Sequence, residues 1–398
     1  MLTSIFYLSV HIDYFLVMKI IFICSSLEPG RDGAGDQTRG LAGELVRQGN
    51  QVAAISLNER NLTESNDGFQ DAEGMTIPTL RLPETFTAIE CYKLVAQWIR
   101  RFKPDWVSVQ YVSFGFQRYG LPWGLAFYLR SAIGQSNLHI MLWELWCGMP
   151  QNAGIKEKAL GALQKAFMRF MLIKLRPEIV STSTLNYKID LERIGVQADL
   201  IHVFGNIPLN IWGSDTAWHE VVVANKLSTL YEAPDEWLTL GFFGSVYACP
   251  GLEQLLQKAA DAAAKMGRKL GVLSIGFGRG QDVGVLAQAI SGTGYWKTGP
   301  LSPDMVNRAM HLVDMAVVTT NAAGFSKSST AAAWMERGIP ILVSAEDHTY
   351  NTSDMEHQGV FQVVKTSDVL KGFEHKKHLS AKSFLNDAVL TYSTLTPA

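Results

Sequence analysis

Short runs of apolar residues alternate along the chain with longer segments whose apolar residues recur every three or four positions. In the first half, the short runs predict six strands: Lys19–Ile23, Val52–Leu57, Trp106–Gln110, His139–Trp143, Ile179–Ser181 and Leu200–Val203. The longer segments between them, such as residues 37–48 and 88–102, have one apolar face and predict helices. This alternation is typical of right-handed βαβ units, so we predict an α/β fold with parallel sheets.

The alternation is interrupted at residues 205–236 and then starts again. The second half predicts strands at Leu238–Phe243, Gly271–Ile275, Gly294–Lys297, Met315–Thr319 and Ile339–Ser344. Two similar halves indicate two Rossmann-like domains that face each other across a cleft, with ligands beyond the carboxyl ends of the strands. The predicted boundaries are 18–208 for the first domain, 209–236 for a linker, 237–370 for the second domain and 371–398 for a helical tail.

The composition narrows the function classes. The chain has 398 residues, 47% of them hydrophobic and 18% charged, as expected for a folded protein of two domains. A net charge of −2 gives no cationic field that would favour nucleic acid. The four cysteines are scattered without metal-binding spacing, which favours buried thiols in a reducing compartment. Residues 1–17 lack the features of a signal peptide, so we interpret them as a leader outside the domains or a mis-called start.

The stretch "GRDGAGDQTRG" follows the first predicted strand and contains Gly33 and Gly35. A dinucleotide fingerprint is disfavoured because Thr38 replaces the third glycine and the Asp36 carboxylate would repel a phosphate. Two alternatives stay open. Asp36 can cap the following helix in a purely structural turn, or the two glycines can form a floor without side chains beneath a sugar or acceptor.

The second half has better phosphate chemistry in "SKSSTAAAWMERGIP". Lys327, Ser328, Ser329 and Thr330 lie at the predicted start of a helix, where an ammonium group, hydroxyls and backbone N–H groups suit a diphosphate. The alternative is plain serine capping beside a solvated lysine. Further candidate donor contacts lie in turns after predicted strands: Gly244, Ser245, Gly276, Gly278, Arg279, Gly299 and Leu301.

Together these motifs resemble GT-B glycosyltransferases of the family 4 type over nearly all of residues 18–365. The resemblance rests on "GRDGAGDQTRGLAGELVRQGNQV", "KPDWVSVQ", "FGNIP", "GFFGSV", "SIGFG", "TGPL…MVNRAMHLVDMAVVTT" and "SSTAAAWMERGIPILV". It implies transfer of a sugar from a nucleoside-diphosphate-sugar to a hydroxyl acceptor. It also implies retention of the anomeric configuration, which is the family's usual outcome. It also implies no cofactor, no essential metal and a C-terminal helix that crosses back to the first domain.

The chain departs from the family pattern at its phosphate clamp. Positions where the family commonly carries an arginine and a lysine hold Ser245 and Pro250, and the two usual glutamate positions hold Phe325 and Ala333. Glu336 lies nearby in a different helical phase. Lys327 is therefore the leading candidate for the catalytic cation, with Arg279 a weaker one.

Candidate acceptor residues follow strands of the first half. Glu144 in "LWELWCGMP" can orient or deprotonate an acceptor hydroxyl, so it is the second predicted catalytic residue, and Trp146 can stack on a sugar. A structural ion pair with core tryptophans is the alternative. Asp36, Tyr111, Arg118 and Trp123 complete the acceptor set, and the alternative for the last three is a plain helix entrance. His139 is predicted to lie away from the site.

The segment Lys156–Arg176 predicts a basic amphipathic helix with six cations and one acid, Glu157. Its predicted apolar surface consists of Leu160, Leu163, Phe167, Met168 and Met171. Such a helix can lie on an anionic bilayer or can be a domain helix with a solvated basic face.

From the sequence as a whole, we expect a cytoplasmic protein that makes polysaccharide or a related glycan and is membrane-associated if the acceptor is lipid-linked. The alternatives are a nucleotide-sugar epimerase and a degenerate binding protein or partner subunit.

Overall fold

The computed structural model describes residues 17–30, 32–149, 153–276, 280–320, 322–344 and 359–395. The chain divides into two compact units. The first unit contains the described chain up to Val180 and the chain from Tyr392 onward, and the second unit contains Ser181–Thr391. The predicted leader therefore lies almost entirely outside the described residues.

The first unit is built from strands and helices in alternation, as predicted. Its strands are β1 (Lys19–Cys24), β2 (Gln51–Glu59), β3 (Asn66–Ala72), β4 (Met75–Pro83), β5 (Trp106–Tyr111), β6 (Asn137–Leu142) and the start of β7 (Ile179–Thr182). Its helices are α1 (Gly33–Arg47), α2 (Ala88–Phe102), α3 (Ser113–Phe116), α4 (Trp123–Ile133) and α5 (Ile155–Leu175). Six strands lie in the order β3-β4-β2-β1-β5-β6. All pair in parallel except β3 and β4.

The β3–β4 hairpin was not predicted from the sequence. Its turn places Glu73 and Gly74 at φ angles of 53° and 81°, as a two-residue turn between antiparallel strands requires. The polar sequence of β3, "NDGFQDA", shows no apolar alternation, because its side chains are mostly exposed or half-buried at the edge of the sheet.

The second unit holds a six-stranded parallel sheet in the order β11-β10-β9-β12-β13-β14. The six strands are β9 (Trp237–Phe243), β10 (Lys269–Ile275), β11 (Gly294–Lys297), β12 (Met315–Val317), β13 (Ile341–Ser344) and β14 (Val360–Val363). The unit also contains β8 (Asp199–Leu200), which pairs with β7 and not with this sheet. Its helices before β11 are α6 (Leu185–Glu192), α7 (Asp215–Ala224), α8 (Ser228–Glu232), a 3₁₀ turn (Pro234–Glu236), α9 (Leu252–Lys265) and α10 (Val283–Gln288). The later helices are α11 (Pro303–Met310), α12 (Ala322–Phe325), α13 (Ser329–Glu336), α14 (Thr366–Lys376) and α15 (Phe384–Ser393).

Two apolar clusters pack helices onto the two faces of the second sheet. One cluster includes buried residues of α9, α10 and α14, and the other includes buried residues of α7, α8, α11 and α13. A parallel sheet covered by helices on both faces is a Rossmann-like architecture, which confirms the predicted fold class for this half. Among the described helices, none has the length and apolar character needed to cross a membrane.

The predicted linker is part of the second unit, because its residues pack into that unit's core. Trp218 is 2% exposed, and Asn307 and Arg308 on α11 donate to the carbonyls of Ile211 and Gly213 at 2.7 and 2.8 Å. The boundary between the units therefore lies at Val180 instead of 208. The chain from Tyr392 onward belongs to the first unit.

Candidate functional site

The second unit contains a cavity of about 320 Å³ at the carboxyl ends of β9 and β12. Its wall is formed by the chain after each of these strands and by the start of α13. Five predicted donor residues line it together: Ser245, Lys327, Ser328, Ser329 and Thr330. The position matches the place where ligands bind in open parallel sheets.

Glycine and serine shape this cavity locally. Gly244 has a φ of 73°, which other residues rarely adopt, and it turns the chain away from β9 toward the cavity. An added Cβ would lie 3.7 Å from the Thr330 hydroxyl, an ordinary van der Waals contact, so the backbone angle and not crowding favours glycine here. Ser328 caps α13 by accepting a hydrogen bond from the Ala331 N–H at 3.2 Å, so serine capping and cavity lining are combined in one residue.

Lys327 is half-buried, and its ammonium nitrogen lies 4.8 Å from the centre of the Tyr187 ring. An aromatic face at this distance attracts the cation and holds its position. The sequence analysis missed Tyr187, since it lies far from Lys327 along the chain and in no motif. It also missed Tyr247, which lines the cavity, is 59% exposed and donates its N–H to the Thr319 hydroxyl at 2.9 Å.

The far end of α13 supports the loops of the second unit. Glu336 is 3% exposed and accepts hydrogen bonds from the Gly205 and Phe384 N–H groups, each at 2.9 Å. Burial raises the pKa of Glu336 to about 7, against the lowering effect of these N–H donors and of Arg337. Arg337 donates to the Ala333 carbonyl at 2.8 Å and to the Asn307 side chain at 2.9 Å, and burial lowers its pKa to about 10.

The positions of the two family glutamates are apolar and buried. Phe325 is 4% exposed and Ala333 is fully buried, so both side chains belong to the core cluster beneath α13. Ala333 also packs against Gly205, where an added methyl group would lie 2.7 Å from the Ala333 Cα. Glu336 therefore contacts backbone at the rear of the helix rather than the cavity.

Three further donor candidates, Gly276, Gly299 and Leu301, do not line this cavity. Gly276 and Gly299 form an isolated antiparallel bridge, and the Gly276 N–H donates to the Thr298 hydroxyl at 3.1 Å. The half-buried Leu301 packs against the core. Gly278 and Arg279 lie outside the described residues.

In the first unit, carboxylates fill the start of α1. Asp32, not Asp36, is the N-cap: it accepts from the Ala34 and Gly35 N–H groups at 2.9 and 3.4 Å. Gly33 and Gly35 belong to the first turn of α1 instead of a loop. Asp36 accepts from the Gly30 N–H at 3.0 Å and pairs with Arg39 at 2.6 Å.

A side chain on Gly35 would lie 2.2 Å from the Ser26 carbonyl oxygen, whereas one on Gly33 would meet nothing within 4 Å. Gly35 therefore has a packing role of its own, and only Gly33 presents open space. A second buried network lies beside this turn. Glu59 accepts from the Leu27 N–H at 2.8 Å and pairs with Arg81 at 3.0 Å.

The acceptor candidates differ widely in accessibility. Tyr111 is 1% exposed, and burial raises the pKa of its hydroxyl, so its side chain belongs to the core. Arg118 is exposed and stacks on Tyr119 at 4.9 Å. Glu144 and Trp146 are half-buried, and the Lys165 ammonium lies 5.0 Å from the Trp146 ring centre. Trp123 is half-exposed and contacts Phe167 at 4.7 Å between ring centres.

His139, predicted to lie away from the site, is buried within the first unit. Its Nδ1 lies 2.8 Å from the Ser108 hydroxyl, and burial lowers its pKa to about 3. Gln110 donates to the same hydroxyl at 2.7 Å and to the Tyr392 hydroxyl at 3.1 Å. This polar cluster was not predicted, because no local motif connects Tyr392 with Ser108 and Gln110, 284 and 282 positions earlier.

Comparisons with solved structures agree with this architecture. UDP-GlcNAc 2-epimerase from Neisseria meningitidis, bound to UDP-GlcNAc, matches with a TM-score of 0.51 and 11% identity over 94% of this chain and 98% of that one. A glycosyltransferase from Rickettsia africae matches with a TM-score of 0.50 and 11% identity over 95% and 92%. The catalytic domain of starch synthase IV from Arabidopsis thaliana has a TM-score of 0.49 at 12% identity over 96% of both chains.

No protein-family model and no curated protein sequence matches the chain. Identities of this size show the fold and leave the reaction to the chemistry of the site. The chain therefore has the fold of GT-B proteins, with two Rossmann-like units built on parallel sheets.

Proposed function

We propose that the protein is a glycosyltransferase, similar to family 4, that moves a sugar from a nucleoside-diphosphate-sugar to a hydroxyl acceptor. The observation that carries the proposal is the cavity after β9 and β12, where Lys327 and the start of α13 converge with Ser245. A cation, hydroxyls and the N–H groups of a first helical turn are a suitable set for a diphosphate.

In this reaction, the bond between the sugar's anomeric carbon and the phosphate oxygen breaks while the acceptor oxygen forms a new bond to that carbon. The nucleoside diphosphate leaves with the electron pair, and the acceptor hydroxyl loses its proton. Lys327 and the N–H groups at the start of α13 stabilise the negative charge that develops on the diphosphate. We expect no metal requirement, so chelation by EDTA is expected to leave activity unchanged.

On the donor side, Tyr247 adds an exposed aromatic face at the cavity, which suits stacking on the base or the sugar. On the acceptor side, Glu144 is the proposed base, and Trp146 and Arg118 are proposed contacts to a glycan or lipid-linked acceptor. We expect the product to retain the anomeric configuration of the donor sugar, and NMR of the product's anomeric proton tests this expectation.

The decisive experiment is isothermal calorimetry with UDP-, GDP- and ADP-sugars, followed by a donor hydrolysis assay. We expect one nucleotide class to bind, with slow release of nucleoside diphosphate in the absence of acceptor. Absence of binding to all three classes would contradict the proposal. Binding without any turnover would favour a degenerate relative, which the replacement of the usual clamp by Ser245, Pro250, Phe325 and Ala333 makes a concrete alternative.

A nucleotide-sugar epimerase is the second candidate, because the epimerase from Neisseria meningitidis shares the fold at a TM-score of 0.51. The two functions differ in their need for an acceptor. An epimerase converts UDP-GlcNAc alone to its C2 epimer, which NMR detects directly, whereas a transferase leaves the configuration at C2 unchanged.

A further inference from the structure

The outer face of α5 carries an exposed apolar stripe. The inner face packs into the first unit through Phe167, Met168, Met171, Leu172 and Leu175. At about 100° per residue, seven exposed apolar residues fall on the opposite side: Ile155, Ala159, Ala162, Leu163, Ala166, Phe170 and Ile173. Ile155 is 87% exposed and Ile173 is 65% exposed. The predicted apolar surface was therefore wrong for Phe167, Met168 and Met171, which are core residues.

Aromatic residues of α4 extend this stripe sideways. Trp123 and Phe127 lie 6.0 and 5.8 Å from Phe170 between ring centres. Both rings are about half exposed. The α4–α5 face, defined by Trp123, Phe127 and the stripe on α5, is thus an exposed apolar surface that spans two helices, and such surfaces commonly mark interaction sites.

Cations border the stripe on both sides. On the helical wheel, Lys158, Lys165 and Arg169 fall on one border, and Lys156 and Lys174 fall on the other. The single acid in this segment, Glu157, accepts a hydrogen bond from the Gly148 N–H at 3.3 Å. This local excess of positive charge contrasts with a net charge of −2 for the whole chain.

We propose that the α4–α5 face binds the surface of an anionic lipid bilayer. An apolar stripe along a helix with lysine and arginine on both borders is the arrangement of a helix that lies in the bilayer interface. The apolar side chains reach the boundary of the acyl chains, and the cations contact the lipid phosphates. Nucleic acid would account for the cations but not for the stripe. This inference is independent of the proposed transferase reaction.

Vesicle co-sedimentation tests the proposal with the full chain. We expect the protein to bind vesicles of phosphatidylcholine with phosphatidylglycerol, to bind pure phosphatidylcholine far less, and to be released by high salt. The double substitution Arg169→Glu/Lys174→Glu replaces two bordering cations by anions, and each cation near such a surface contributes about fivefold to binding. We therefore expect at least about a tenfold loss for this variant, and a similar loss for Ile173→Asp.

Matched controls lie on the second unit. Lys265→Glu/Lys371→Glu makes the same charge change on exposed lysines of α9 and α14, and Val285→Asp changes a residue that is 65% exposed, like Ile173. Both controls are expected to bind vesicles as the unmodified protein does. Equal losses in a control and its matched variant would overturn the proposal, as would equal binding to both vesicle types. A dimer in sedimentation velocity that Ile173→Asp dissociates would also overturn it, by assigning the face to a second copy.

Discussion

Two helix starts, that of α1 in the first unit and that of α13 in the second, differ in what surrounds their backbone N–H groups. At the start of α1, Asp32 and Asp36 occupy the backbone N–H groups of Ala34, Gly35 and Gly30. At the start of α13, Lys327 and Ser328 instead border a cavity of about 320 Å³. Aspartates of the same segment therefore occupy the start of α1, whereas the start of α13, although Ser328 caps it, lines a cavity and is a candidate anion site.

Two buried carboxylates, Glu59 in the first unit and Glu336 in the second, have pKa values shifted in opposite directions. Burial raises the pKa of Glu59, but its hydrogen bonds to Arg81, the Leu27 N–H and two serines outweigh burial, so that its pKa is lowered. Burial dominates at Glu336, whose pKa is raised to about 7. A charged partner decides the difference: Arg81 contacts Glu59 directly, whereas Arg337 donates to other groups.

The largest expected effect is the loss of the partner of Glu59. We expect Arg81→Ala to lower the free energy of unfolding by about 3 kcal/mol, because it leaves a buried carboxylate without its cation. Urea denaturation measures the change. The control is Arg60→Ala, since Arg60 pairs with Glu84 at 3.7 Å and is 72% exposed. It is expected to cost less than about 1 kcal/mol, and an equal cost for both variants would show that the first unit does not depend on this network.

The raised pKa of Glu336 makes the stability of the second unit depend on pH, in the direction opposite to that expected from the lowered pKa of Glu59. A carboxyl whose folded pKa is raised from 4.5 to about 7 keeps its proton in the folded chain where the unfolded chain has lost it. The associated stability is complete below pH 4.5 and is lost as the pH rises through about 7, by up to about 3 kcal/mol. Glu336→Gln removes this titration, so its stability is expected to fall less steeply between pH 5 and pH 8. If the free energies of unfolding of the two proteins, measured by urea denaturation, change in parallel with pH, the raised pKa assigned to Glu336 is contradicted.

The sequence predicted what depends on local pattern. Apolar runs located most strands of both sheets, though not β3, β4 and β14, and the hydroxyls beside Lys327 located the start of α13, which lines the cavity. It failed where tertiary contact decides. The sequence places Trp218 in a linker, whereas in the structure Trp218 packs into the core with α11. It offers Asp36 as the N-cap of α1, whereas Asp32, four residues earlier, is the N-cap. The polar edge strand β3 has no pattern to detect, because edge position and not burial determines its composition.

A substitution of Lys327 tests whether the start of α13 binds a diphosphate. We expect Lys327→Ala to weaken the binding of a nucleoside diphosphate by about 1.5–3 kcal/mol, the range for a hydrogen bond to a charged group. Calorimetry measures the affinity, and Lys265→Ala on the exposed face of α9 is the control for the loss of one charge. Unchanged affinity in Lys327→Ala would remove Lys327 from the proposed diphosphate site.

The smallest effects come from the two glycines of the first turn, and they separate packing from function. We expect Gly35→Ala to cost about 1–3 kcal/mol, because the added methyl group would lie 2.2 Å from the Ser26 carbonyl oxygen. Gly33→Ala meets nothing within 4 Å. In the first turn of a helix, it is expected to leave stability unchanged or to raise it by up to about 1 kcal/mol.

We nevertheless expect Gly33→Ala to lower donor-dependent turnover, because the added methyl group would fill the open space that the proposal assigns to the donor sugar. Stability from urea denaturation and turnover from the hydrolysis assay are measured on the same preparation. A Gly33→Ala protein that is stable and fully active would show that the first turn, closed by its own aspartates, has no part in donor binding.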